Sequence, residues 1–210
     1  MPPDLRVCFF GDSLTAGVGD VTTLGWVGRV VASARRDGAD LTGYNLGVRG
    51  ETGGQVHARL QAEARPRLAR GAGPGVVVSF GVNNTIVDGG QRRAPEQESL
   101  AALGRIADQA RAAAWPLLVV GPTLVDDPDH NQRILGLSAA MADRCAGMDV
   151  PWVGLAPGLD DDAWLAEVSS RDGAHPGYRG YERLSSAIYP AFAAWLPSLR
   201  VSSPAVDPAT

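Results

Sequence analysis

Gly75-Val76-Val77-Val78-Ser79-Phe80 is uncharged, rich in β-branched side chains and bounded by glycines, so it reads as a buried strand. A strand with one wet face alternates polar and apolar residues. The unbroken run Val76 to Val78 instead belongs to a parallel sheet covered by helices on both faces. The flanking segments agree. Upstream, 57–70 has helical spacing that puts Leu60, Ala64 and Leu68 together; downstream, 95–114 does the same with Leu100, Leu103, Ile106 and Ala110. Farther out, 5–10 (LRVCFF), 41–46, 117–120 and a short 152–155 read as strands. The stretches 26–36, 131–145 and 177–195 read as helices. Strands alternating with helices predict an α/β domain on a mainly parallel, five-stranded sheet.

The length of 210 residues suits one domain, expected over 1–196, with a loose Pro/Ser-rich tail over 197–210. The net charge of -4 argues against a nucleic-acid partner, which would need a basic face. All 19 basic residues are arginine, which with the abundant Ala, Gly and Pro reflects coding bias. Cys8 and Cys145 read as buried small hydrophobes, neither a disulfide framework nor a zinc site. The start, Met-Pro-Pro-Asp-Leu-Arg, has neither the basic opening nor the apolar run of a secretory signal, and the expected compartment is the cytoplasm. No segment approaches the ~18 apolar residues that cross a bilayer, so stable membrane association is not expected.

In a parallel sheet, function collects at the carboxyl ends of the strands, and polar residues recur there. Gly11-Asp12-Ser13-Leu14 follows the first strand, where Ser13 either presents a hydroxyl from a rigid turn or caps a helix. Gly50, in Arg49-Gly50-Glu51-Thr52, either offers its N–H to an oxyanion or serves an unusual backbone angle. Asn83, in Gly81-Val82-Asn83-Asn84, either donates to developing negative charge or belongs to a turn. Asp172-Gly173-Ala174-His175 precedes the last helix. Serine hydrolysis needs a base that titrates near neutrality and is held in one tautomer by an acceptor. An Asp three residues before a His supplies that acceptor if the chain turns at Gly173. Each alternative is reasonable alone; their meeting at one sheet edge is what carries meaning.

Taken in order, these segments resemble the motif blocks of the GDSL (SGNH) hydrolases, over residues 7 to about 181. The resemblance implies a three-layer, flavodoxin-like α/β/α sandwich and hydrolysis of acyl esters through an acyl-enzyme, with no metal or organic cofactor. It assigns Ser13 as nucleophile, His175 as base and Asp172 as its orienting partner. The N–H groups of Ser13 and Gly50 and the Asn83 amide form the oxyanion hole. Two positions depart from the pattern: Asn84 stands where aspartate is usual, and Glu51 where aspartate is common. Asn84 is expected to weaken loop-supporting hydrogen bonds without abolishing the chemistry. The expected substrate is a small or medium acyl ester, or a thioester. The alternatives are a carbohydrate O-acetyl esterase within the family, a non-catalytic binding module on the same fold, or a nucleotide-binding flavodoxin-like protein.

Other polar residues read as secondary. His57 lies in a charged helical stretch and is expected to be solvated. His130, after Asp126-Asp127-Pro128-Asp129, reads as part of a polar loop that can border the substrate pocket. Asp160-Asp161-Asp162 reads as a helix N-terminal charge cluster. Trp164 and Leu165 line an acyl pocket or pack in the core. The residues do not set an oligomeric state.

Overall fold

The structure is a computed structural model that describes residues 2–159 and 161–199. In chain order it runs β1 (Leu5–Gly11), α1 (Ser13–Ala16), α2 (Gly25–Arg36), β2 (Leu41–Gly47), α3 (Gly53–Leu68), β3 (Gly73–Ser79) and α4 (Val82–Thr85). A small hairpin follows, β4 (Val87–Asp88) and β5 (Gln91–Arg92). Then come α5 (Glu96–Ala112), β6 (Leu117–Val120), α6 (Pro128–Gly147), β7 (Trp152–Val153), α7 (Asp162–Ser169) and α8 (Tyr178–Trp195). The five long-range strands form one sheet in the order β2-β1-β3-β6-β7, every pair parallel.

Successive side chains of a strand point to opposite faces, and β1 shows the consequence. Val7 and Phe9 enter one core with Trp26 and Val30 of α2 and Leu184, Ile188 and Phe192 of α8. Cys8 and Phe10 enter the other with Val56 and Leu60 of α3 and Leu103 and Ile106 of α5. Both faces are thus covered, giving the three-layer α/β/α arrangement that the valine run at 76–78 demands. Cys8 and Cys145 are buried, unpaired thiols in the second core.

Helix starts departed most from the periodicity. Helix α3 begins at Gly53 and not near residue 57, because the Gln55 side chain accepts from the Thr52 N–H at 2.9 Å and begins the first turn. Helix α7 is a full element begun by Asp161, whose carboxylate accepts from the Trp164 N–H at 2.9 Å; Asp160 lies outside the described residues. At the carboxyl terminus the expected boundary at 196/197 falls within a 3-10 turn, Leu196–Ser198. Leu199 is buried, with Cδ2 beside Gly75. Residues 200–210 of the expected tail lie outside the described residues.

The strand order places the site. From β1 the chain moves outward to β2, then returns across to β3 on the other side of β1. The connections leaving β1 and β3 therefore diverge, and a crevice opens between their carboxyl ends.

Candidate active site

Ser13 is the first residue of α1, directly beyond β1. Asp12 caps that turn by accepting from the Leu14 N–H at 2.9 Å, and Gly17 closes it in the left-handed region at φ 83°. The glycine before Asp12 is there for room. A Cβ on Gly11 would stand 2.3 Å from the Ser79 carbonyl oxygen and 2.2 Å from Thr15 Oγ1. Gly47 is constrained likewise, its Cβ falling 2.2 Å from the backbone nitrogen of Ala16. The serine turn is thus wedged between β2 and β3 with no space for side chains.

His175 arrives from the other end of the chain, on the loop before α8. Gly173 makes the expected turn at φ 79°. The loop is held at both ends: the Asp126 N–H donates to the Gly173 carbonyl at 2.7 Å, and Glu167 accepts from the Gly177 and Gly180 N–H groups at 2.8 and 2.9 Å. Asp172 Oδ2 lies 2.7 Å from His175 Nδ1, and His175 Nε2 lies 2.7 Å from Ser13 Oγ. An ionised carboxylate only accepts, so the proton sits on Nδ1 and Nε2 is left to accept from the hydroxyl. Burial acts to raise the Asp172 carboxyl. The hydrogen bonds from the His175 N–H, its ring and the Ala174 N–H outweigh burial and hold it down to about 2. The group is an anion wherever the fold exists near neutrality.

Asn83 lies in α4, beyond β3, on the opposite wall of the crevice. Its Nδ2 donates to Asp12 Oδ2 at 3.0 Å, which leaves the second amide hydrogen uncommitted to Asp12. Asp12 is 3% exposed. Burial pushes its carboxyl up to about 6, against the hydrogen bonds from Leu14 and Asn83 and the nearby His175. Asn84 is fully buried, with Oδ1 accepting from the Gly53 N–H at 3.1 Å and Nδ2 donating to Ser99 Oγ at 2.8 Å. Both ends of its amide are used, tying α4 to α3 and α5.

Ser13, Asn83, Asp172 and His175 wall one cavity of about 300 Å³ together with Asp12, Val82, Ile86 and Val125. Gly50 is not among its walls. It sits in the loop after β2 at φ 78°, an angle that favours glycine, with open space where a Cβ would be. The neighbouring Glu51 pairs with Arg59 of α3 at 2.7 Å, and the same guanidinium donates to the Leu46 carbonyl at 2.6 Å. Sequence reading missed Arg59 because nothing in the helical pattern separates it from a solvated arginine.

His130 corrects its expectation in part. It is in the first turn of α6, not a polar loop, and is 8% exposed. It does border the cavity. Trp164 is core, with its indole N–H donating to the Leu124 carbonyl at 2.9 Å, and Leu165 packs against the same core. Neither lines the cavity. His57 is partly buried on α3. Among the described residues no three His, Cys, Asp or Glu side chains gather as metal ligands, and no helix is long and apolar enough to cross a membrane.

The family model of the GDSL-like lipase/acylhydrolases matches residues 9–183. Esterase TesA of Pseudomonas aeruginosa is 27% identical over 187 residues, covering 86% of this chain and 84% of its own. A crystal structure of TesA superposes with a TM-score of 0.69 at 24% identity, over 91% of this chain and 99% of that one. A lipase/acylhydrolase from Enterococcus faecalis superposes at 0.73 with 21% identity, covering 97% and 100%. Axe2, an acetylxylan esterase from Geobacillus stearothermophilus, does so at 0.74 with 15% identity, covering 89% and 93%. These last three likenesses establish the fold.

Proposed function

The chain belongs to the GDSL-like lipase/acylhydrolase family, and from that premise we propose that it hydrolyses small or medium acyl esters, or thioesters, through an acyl-enzyme on Ser13. It is a GDSL-type esterase/acylhydrolase. The observation that carries the finer reading is the unbroken line from the Asp172 carboxylate through the His175 ring to the Ser13 hydroxyl, with both contacts at 2.7 Å.

In this reading the Ser13 oxygen attacks the acyl carbonyl as its proton passes to His175 Nε2. Asp172 holds the ring in place and stabilises the imidazolium. Negative charge on the former carbonyl oxygen is met by the Asn83 amide and the Ser13 N–H, with Gly50 the third donor. Losing one such donor typically costs about 10²–10³ in kcat. The bond from the acyl carbon to the leaving oxygen or sulfur breaks, and the leaving group takes the proton from His175. Water then attacks the acyl-enzyme by the same path, its proton going to His175 and onward to Ser13 as the acid departs. The cavity supports a modest leaving group or acyl chain, since about 300 Å³ holds ~10 water-sized groups.

The test is hydrolysis of p-nitrophenyl esters from acetate upward, beside Ser13→Ala. Wild type should favour the short esters, and the variant should lose at least ~10³-fold in kcat. Absence of both turnover and labelling at Ser13 by a fluorophosphonate would sink the reading, leaving a binding module on this fold.

A further inference from the structure

His130 has no part in the chemistry above, yet the residue is nine-tenths buried and is a wall of the same cavity. Nε2 lies 3.1 Å from the Val82 carbonyl and 2.9 Å from Thr85 Oγ1. A carbonyl can only accept, so Nε2 carries the ring's proton. Thr85 is compatible with this, because its own hydroxyl donates to the Gly81 or Val82 carbonyl and its lone pair is free. Burial, with Arg133 nearby, outweighs the Val82 hydrogen bond and Asp127 and lowers the ring's proton affinity, which favours its neutral form. Nδ1 is then a bare acceptor. Among the described residues no hydrogen bond reaches it, and it is not one of the sealed, unpartnered atoms. His130 is a wall of the cavity, and Nδ1 is the ring nitrogen left without a partner among the described residues.

The position of the cavity says which part of a substrate meets this acceptor. Its walls include Asp172, Gly173, Ala174 and His175 but not Gly50. A leaving alcohol must lie on the His175 side of Ser13, since that ring returns its proton. The cavity therefore receives the alcohol. Its other polar side chains at that wall, Asp126 and Asp127, add only acceptors; one Asp127 oxygen is already taken by the His130 N–H at 2.9 Å.

Resting on the esterase reading, we propose that His130 is a specificity-determining residue whose Nδ1 accepts a hydrogen bond from a hydroxyl of the substrate's alcohol portion, so that the preferred substrates are short-chain esters of polyhydroxy alcohols. An alkyl alcohol would bury this acceptor without a donor, and a single such loss is worth about tenfold.

The test compares kcat/KM for glycerol monoacetate and propyl acetate, which share the acyl group and carbon skeleton. Wild type should prefer the hydroxylated ester by about tenfold. His130→Leu should bring the ratio close to one. His130→Gln should restore it, since its amide can donate to the Val82 carbonyl and present an oxygen to the cavity. A role confined to tying α6 to α4 would change both substrates alike and leave the ratio standing. A wild-type ratio near one overturns the proposal whatever the variants do, as does a ratio that survives in a folded His130→Leu. Faster turnover of acetylcholine than of glycerol monoacetate would also overturn it, because the wall would then be reading positive charge through its carboxylates. If p-nitrophenyl acetate is hydrolysed and the ratio is one, this inference alone fails. If no ester is turned over and Ser13 resists fluorophosphonate, the esterase reading fails and this one falls with it.

Discussion

Asp12 shows how much a single buried residue can trade. Its carboxylate holds the serine turn through the Leu14 N–H and the other wall through the Asn83 amide. Burial raises it from the usual 3.8 to about 6. A folded-state value above the unfolded one favours the fold below about pH 4. That advantage is lost as pH rises to about 6, and beyond it the buried charge is a standing cost. Asp12→Asn removes that charge. It is expected to stabilise the protein by about 1–3 kcal/mol at pH 8, raising the melting temperature by several degrees, and to bring no gain at pH 4. The amide must turn Asn83 around to satisfy both groups, so kcat should fall. Calorimetry at the two pH values checks the first part, and an unchanged or lower melting temperature at pH 8 would contradict it. Of this pairing only the adjacency of Asp12 and Ser13 was visible in the sequence. The partner is 71 positions away, and burial sets the charge.

Among the elements, α3 carries more than its amphipathic stripe. Arg59 stacks over the Phe10 ring at 5.2 Å while binding Glu51 and the carbonyl end of β2. The guanidinium fixes where β2 ends and where the Gly50 loop begins. Arg59→Ala would leave Glu51, whose side chain is 12% exposed, without its partner. The expected cost is about 2–4 kcal/mol in a urea melt. Arg59→Lys should recover only part, for want of the planar fork; full recovery would mean that charge alone holds the loop. The long helices were legible because one buried face leaves a period in the residues, and the strands because burial on two faces leaves an unbroken apolar run. The start of α7 was legible in its acidic cluster at 160–162, whereas the hairpin at 87–92 and the start of α3 were not. The hairpin turns on Gly89 and Gly90 at positive φ, and α3 starts on the Thr52 N–H bond to the Gln55 side chain, neither of which leaves a period to read.

At the scale of the molecule, the two cores on opposite faces of the sheet bear the stability, and one edge gathers the candidate site. Phe192 is fully buried, with its ring 5.7 Å from Phe9 and 5.6 Å from Trp195. Phe192→Ala is expected to cost about 3–5 kcal/mol and lower the melting temperature by ~10 °C, while fluorophosphonate labelling of Ser13 at 25 °C continues. Loss of labelling in a folded sample would show that the site is strained by the far core. The sheet edge that gathers the candidate residues followed from strand alternation and their order in the chain, whereas the 300 Å³ cavity depended on how α4 and α6 pack. The hydroxyl of Ser13 and the ring of His175 meet across 162 positions. A polypeptide still emerging from a ribosome therefore holds its serine long before the histidine is translated. Under the proposed mechanism a chain that has not yet reached 172–175 carries a nucleophile without its base, so cleavage by this constellation waits on those residues.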